Sequence, residues 1–272
     1  MTVLTTALTV LLLAACEAAD SVVTLDLGGS WSLSNSSMPK PVEATVPGQV
    51  HTDLLRAGLI DEPFNGTNVE LQAWVALSDW TYERTFEVPA SLLAKRTVQL
   101  VSLGIDTVAT LYLNSKPIHQ VDNMFHRVRL NVKQHLVAGT NTLRVAFKSK
   151  VSEANARAAA CDNATSIICP PHAQPAVQHG FDNVNYLRTE PCSFSWDWGP
   201  GFAPVGLWRA IYIQGYDTAV VRDVTVVTTP HTASPRLAKL QREARPDAVD
   251  GFAAHDTSDA ARIARAFART DR

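Results

Sequence analysis

The sequence predicts an all-β fold, an antiparallel sandwich or jelly roll, between about residues 25 and 228. Three observations predict it. Apolar residues recur at every second position in run after run, the runs are short, and turn signals separate them. The 272 residues allow one large domain or a domain with an extension, and an apolar fraction of 46% supplies a core.

The elements follow in order. "QVHTDLLRAGLI" spaces Val50, Leu54, Leu55 and Leu59 at near-helical intervals, with Gly58 near the end, and predicts one helix. "WTYERTFEV" (Trp80–Val88) alternates Tyr82, Arg84, Phe86 and Val88 against polar partners, as a strand does. Thr97–Leu103, Thr107–Asn114, Arg127–Val132, Asn141–Ser149, Leu207–Tyr216 and Val221–Thr228 repeat the period of two. Asn114-Ser115-Lys116-Pro117 and Ala138-Gly139-Thr140-Asn141 are turn signals between them. Between Val151 and Pro191 the periodicity dissolves, which predicts a long loop: a solvated excursion, or the rim of a binding site. Beyond Pro230 the chain is rich in Ala, Arg and Asp without a β-period, and predicts a disordered or weakly helical tail, the helix over Ser258–Arg269.

Composition narrows the function. A formal net charge of −2, with no basic patch concentrated in the first 230 residues, argues against nucleic acid as partner. The apolar run Ala7–Ala15 is too short to span a bilayer and suits a signal peptide over residues 1–18. Leu13-Ala14-Ala15-Cys16 equally fits a bacterial lipoprotein box, and no Lys or Arg precedes either. Sequons at Asn35, Asn65 and Asn163 favour a secretory route with glycans on polar turns. After cleavage Cys161, Cys169 and Cys192 remain, enough for one bridge and one leftover thiol. Three pairings are open, and the shortest separation favours Cys161–Cys169. No CxxC pattern suggests zinc, and no metal or other cofactor is expected.

The segment "CSFSWDWGPGFAPVGLW" holds three of the six tryptophans. Trp196 and Trp198 flank Asp197, and Gly199-Pro200-Gly201 follows. Hexoses present apolar C–H faces and polar rims, so an indole beside a carboxylate on a sharply turned backbone suits a sugar. The same residues also suit architecture, with both indoles in the core and Asp197 capping a turn.

Several stretches carry a resemblance: "VPGQVHTDLLRAGLI", "ELQAWVALSDWTYERTFEVP", "LGIDTVATLYLN", "VDNMFHRVRLNV" and "CSFSWDWGP" with "VGLWRAIYI". In this order they resemble the N-terminal domain of lysosomal-type β-mannosidases in glycoside hydrolase family 2; Ser195-Trp196-Asp197-Trp198-Gly199-Pro200 is characteristic of that branch. The resemblance implies a galactose-binding-like jelly roll over residues 20–217, with residues 218–230 beginning an immunoglobulin-like second domain and 231–272 forming a tail foreign to the family. It implies that Trp196 and Asp197 contact a terminal mannose, with Arg188 a basic neighbour. The catalytic glutamates of such enzymes lie in a later (β/α)8 barrel, and the resemblance stops at Pro230. The expectation is therefore a chain with no catalytic residue, which in a complete enzyme docks onto the barrel and helps bind β-mannoside oligosaccharides in a lysosome. A secreted lectin-like module and a functionless truncated product are the alternatives.

Overall fold

The computed structural model describes residues 22–164, 168–173 and 180–222, together with the strand backbone of 225–230, 238–243 and 249–250. The chain divides into two compact units. One comprises Thr24–Leu93 and Val98–Gln214; the other holds Val22 and Val23, Ala94–Thr97 and the described residues from Gly215 onward.

The larger unit is built on two sheets. In chain order the strands are β1 (Val23–Asp26), β2 (Gly29–Ser34), β3 (Val42–Val46), β4 (Trp80–Val88), β5 (Thr97–Ser102), β6 (Ala109–Leu113), β7 (Lys116–Val121), β8 (Val128–Asn131), β9 (Gly139–Phe147) and β10 (Ile211–Tyr216). One sheet has the order β3-β2-β4-β9-β6-β7 and the other β1-β10-β5-β8. The period of two explains the pairing. β4 and β9 pair antiparallel along nine residues, from Trp80 opposite Phe147 to Val88 opposite Gly139. One side-chain set of each strand then faces inward. Leu33, Tyr82, Leu111, Val145 and Phe147 from the six-stranded sheet are buried, as are Val98, Leu100, Ile211 and Ile213 from the four-stranded one. Each such side chain contributes about 1.5–3 kcal/mol of transfer free energy.

β1, β2, β3 and β7 lie outside the runs singled out from sequence. β7 places only Val121 in the core, and β1 is half exposed throughout. With so little buried face, β1 and β7 leave a weak periodic signal, whereas β2 and β3 do alternate, burying Trp31 and Leu33 and Ala44 and Val46, but over short runs.

Helix α1 (Val50–Arg56) falls inside the predicted helical segment. Gly58, at φ +67°, turns the chain out of it, and Leu59 N–H closes the end on Leu54 O at 2.9 Å. Asp53 of α1 is fully buried yet satisfied. Its carboxylate accepts from Thr45 N–H (3.0 Å), Arg56 Nη1 (2.9 Å) and the Tyr82 hydroxyl (2.8 Å). Burial, then the Asp53 charge, pushes the Tyr82 phenol well above its usual range. Three one-turn helices follow: α2 (Asn68–Leu71), α3 (Trp74–Leu77) and α4 (Ala90–Leu93).

The long loop expected from Val151 begins instead as a helix, α5 (Lys150–Asp162). Ser149 caps it, its hydroxyl oxygen accepting from Ser152 N–H at 3.1 Å. Its buried face consists of Lys150, Val151, Ala154 and Ala158. A stripe made mostly of alanine buries little apolar area, so hydrophobic periodicity does not reveal it, although alanine is the strongest helix former.

In the smaller unit, Asp217 accepts from Lys95 Nζ at 2.7 Å and from Arg96 N–H at 2.9 Å. Strand β11 (Val220–Val221) pairs antiparallel with β14 (Val249–Asp250), and β12 (Thr225–Pro230) with β13 (Ala238–Glu243). Strands β13 and β14 lie in the stretch expected to be disordered or weakly helical, and there the expectation is corrected. The reason is register: β12 offers a full ladder, in which Pro230 pairs with Ala238 and Thr225 with Glu243, so backbone pairing does not need an alternating side-chain pattern. The expected helix at 258–269 and the signal segment lie outside the described residues.

Candidate functional site: an exposed tryptophan-aspartate turn

The segment that carries the turn is fastened below it. Phe194 and Ala203 are buried in a cluster with Ala76, Val151, Ala154 and Leu187, so α3 and α5 both pack beneath it. Phe181 meets Phe194 edge to face, with centroids 6.2 Å apart. The main chain is tied as well. Phe181 N–H donates to Phe194 O at 2.8 Å, and Phe202 and Ala203 N–H both donate to Ser193 O, at 2.9 and 2.6 Å.

Above this base the chain reverses in four residues. Trp196 and Gly199 form an antiparallel bridge: Trp196 N–H donates to Gly199 O at 3.2 Å and Gly199 N–H returns the bond. The Ser195 hydroxyl donates to Gly199 O at 2.9 Å. Asp197 sits at the tip with φ +33°, a region that Asp tolerates better than most residues. Gly201 is required by close approach, because a Cβ there would lie 2.9 Å from both Phe194 O and Gly180 Cα.

The turn presents its side chains to solvent. Trp196 is 61% exposed and Trp198 is 82% exposed. Asp197 is exposed, and no hydrogen bond among the described residues engages its carboxylate. Core packing, the architectural use of these indoles, does not occur in this chain. Two indoles and an open carboxylate on a hydrogen-bonded hairpin can offer an apolar face and paired acceptors to a polyol.

Arg188 lies on the same segment, ahead of the turn. It is exposed, and its main chain bridges to Asn123, with Arg188 O accepting from Met124 N–H at 2.9 Å. Among the described residues no hydrogen bond or ion pair joins its guanidinium to Asp197. Cys161 and Cys169 are joined by a disulfide at the end of α5, and Cys192 is an exposed free thiol. Asn65 and Asn163 are exposed, and Asn35 is half-buried. Asn163 Nδ2 donates to Ala159 O at 2.8 Å and Asn35 Oδ1 accepts from Ser37 N–H at 3.0 Å.

Sequence reasoning missed the polar residues behind the segment. Lys150, the first residue of α5, is fully buried, with Nζ 2.6 Å from Asp106 Oδ2, 2.8 Å from Thr189 Oγ1 and 3.8 Å from Glu190 Oε1. His51 of α1 is buried, and its Nδ1 has no hydrogen-bond partner among the described residues. Burial, then the charge of Lys150, lowers its pKa to about 4. A lone Lys at a helix start carries no sequence signal of burial. A surface depression of about 560 Å3, lined by Ser30, Glu43, Glu83 and Arg84, contains none of the site residues named above.

Two antiparallel sheets carrying an exposed aromatic-acid turn define a jelly-roll β-sandwich. The sequence profile described as glycosyl hydrolase 2 galactose-binding domain-like matches residues 31–209, and the chain belongs to that family. The chain is 39% identical to a β-mannosidase of Capra hircus over 209 residues, covering 76% of this chain and 23% of that protein. A β-mannosidase of Bos taurus gives the same identity and coverage. The crystal structure of a β-D-mannosidase from Dictyoglomus thermophilum superposes with a TM-score of 0.67 at 30% identity, over 84% of this chain and 30% of that one. The chain thus spans less than a quarter of the length of these mammalian relatives.

Proposed function

We propose that this chain is the N-terminal, non-catalytic segment of a β-mannosidase, an enzyme that releases terminal β-linked mannose from the non-reducing ends of oligosaccharides. In that reading Trp196 stacks on the apolar face of the mannose, Asp197 accepts from adjacent hydroxyls, and Arg188 contributes positive charge nearby. The observation that carries it is the solvent-facing Trp196-Asp197-Trp198 hairpin on a buried base, in a chain whose relatives are named β-mannosidases. The two barrel carboxylates that retaining hydrolysis needs, roughly 5–5.5 Å apart, would belong to the rest of such an enzyme. This domain docks against that barrel, and Phe64, which is 75% exposed and packs edge to face on Phe202, supplies apolar surface for it. The sequons and the disulfide support passage through the secretory route to a lysosome.

A second reading, a lectin-like module, is favoured by the turn's being fully formed from this chain alone. One experiment tests both. The purified chain is titrated with methyl β-mannoside while tryptophan emission is followed, and an aryl β-mannoside is offered as substrate. The main reading expects weak, Asp197-dependent binding without turnover. Micromolar affinity supports the lectin. An emission that no mannoside changes refutes both.

A further inference from the structure

We propose that Lys150 is a positioning residue: through Thr189 it holds the segment from Arg188 to Trp198 in the place where the turn meets its sugar. The inference rests on the reading of Trp196 and Asp197 as a sugar contact.

Three pieces of chain converge on the Lys150 ammonium. Asp106 lies between β5 and β6 and is fixed by a reciprocal bridge to Gly206, with N–H to O distances of 2.9 and 3.0 Å. Lys150 opens α5. Thr189 lies directly between Arg188 and Glu190. Its hydroxyl accepts from Lys150 Nζ at 2.8 Å and donates to Asp106 Oδ1 at 3.0 Å, closing a ring of three polar side chains, all buried. A buried ion pair of this kind adds little net stability over apolar packing of the same volume. What it supplies is direction: the Thr189 hydroxyl, whose one proton can go to Asp106 Oδ1 or to Glu190 Oε2 at 3.1 Å, accepts from Lys150 in either case, and Thr107 Oγ1 also donates to Asp106 Oδ1. The other side of the segment is strapped by Met124. Its N–H donates to Arg188 O, its sulfur accepts from Glu190 N–H at 3.1 Å, and its carbonyl accepts from Trp208 Nε1 at 3.2 Å. From Glu190 a single 3-10 turn, Pro191–Phe194, leads into Ser195 and the hairpin. A shift at Thr189 is therefore passed to Trp196 through a short hydrogen-bonded stretch, in which Ser193 N–H donates to Glu190 O and Ser195 N–H to Cys192 O.

Thr189→Val tests this, because it removes the hydroxyl but leaves Lys150 and Asp106 paired, so no buried charge is orphaned. Hydrogen exchange is followed at two sets of amides. The first is Met124, Phe181 and Ala203, which bond to carbonyls of the segment; the second is the β4–β9 ladder. Methyl β-mannoside affinity is measured on the same samples. The expected result is exchange at least tenfold faster at the first set, unchanged exchange at the second, and affinity reduced about fivefold or more, with Thr189→Ser restoring all three. The Lys150→Met/Asp106→Asn pair, which deletes both charges together, is expected to behave like Thr189→Val. Exchange unchanged at the first set, or accelerated equally in both, overturns the proposal: the ring would then be inert or a general stabiliser. Local acceleration with affinity retained also overturns it. If the wild-type chain binds no mannoside, the sugar reading fails by itself, and the exchange pattern still decides whether Lys150 orders the segment.

Discussion

The imidazole of His51 and the ring of Phe202 meet edge to face, with centroids 5.6 Å apart. Phe202 is also met edge to face by Phe64, at 5.1 Å, so α1 and the exposed chain after it brace the segment that leaves the tryptophan turn. The brace is titratable. His51 is held neutral down to about pH 4 by burial and then by Lys150. Its folded value lies below the 6.5 of a free imidazole, so the unfolded chain binds the extra proton. Stability from this group is complete above about pH 6.5 and is lost as the pH falls towards 4, by on the order of 3 kcal/mol in total. Urea unfolding at pH 7.5, 5.5 and 4.5 should show His51→Gln with a flatter pH dependence than wild type. Parallel curves would mean that His51 takes up a proton as readily in the folded chain as in the unfolded one.

Asp197→Asn should separate charge from backbone. Asn tolerates the positive φ that Asp197 adopts, and no hydrogen bond to the carboxylate is lost within the described residues. Thermal stability should stay within about 0.5 kcal/mol of wild type. In a complete enzyme of this family, kcat/KM for an aryl β-mannoside should fall by about ten- to a few-hundred-fold, the worth of charge-assisted bonds at roughly 1.5–3 kcal/mol each. Melting that drops while kcat/KM per folded molecule persists would make the turn architecture.

Gly201→Ala should instead act through stability. The new methyl group meets backbone atoms of Phe194 and Gly180 at 2.9 Å, and neither can give way as a flexible side chain would. Overpacking of this kind costs about 1–3 kcal/mol. Calorimetry should show the lower Tm, and mannoside affinity should weaken with it because Phe194, whose carbonyl the methyl group meets just ahead of the turn, is displaced. An unchanged Tm would indicate that residues 200–203 have room to move.

The Cys161–Cys169 bridge closes a short loop at the end of α5, with a sequence separation of 8. Peptide mapping without reduction should recover the two joined, and Cys192 should alkylate in the native chain because it is exposed. Replacing both bridge cysteines by serine should cost about 2.5 kcal/mol, the chain-entropy value for so short a loop. A peptide joining Cys192 to either partner would contradict the pairing.

Much of the sandwich was legible in sequence because burial on one face of a strand imposes a period of two. Trp80–Val88 and Asn141–Ser149 declared themselves in this way, and they became the pair β4 and β9. The helix at Val50–Arg56 was readable because its apolar residues are large. The Trp-Asp-Trp turn was readable as an anomaly, since neither a strand nor an ordinary loop uses two indoles around one acid before Gly-Pro-Gly. What sequence left open was where those indoles point, because the same residues suit a core and a surface.

Tertiary structure alone decided the rest. It put Trp196 and Trp198 in solvent by packing Phe194 and Ala203 against α5 beneath them. It made Lys150 a buried cation, since only the folded chain brings Asp106 and Thr189 to it from 44 and 39 residues away. Local patterns report the environment of one element at a time. A contact between distant segments leaves no period in the sequence, and the geometry of this site is made of such contacts.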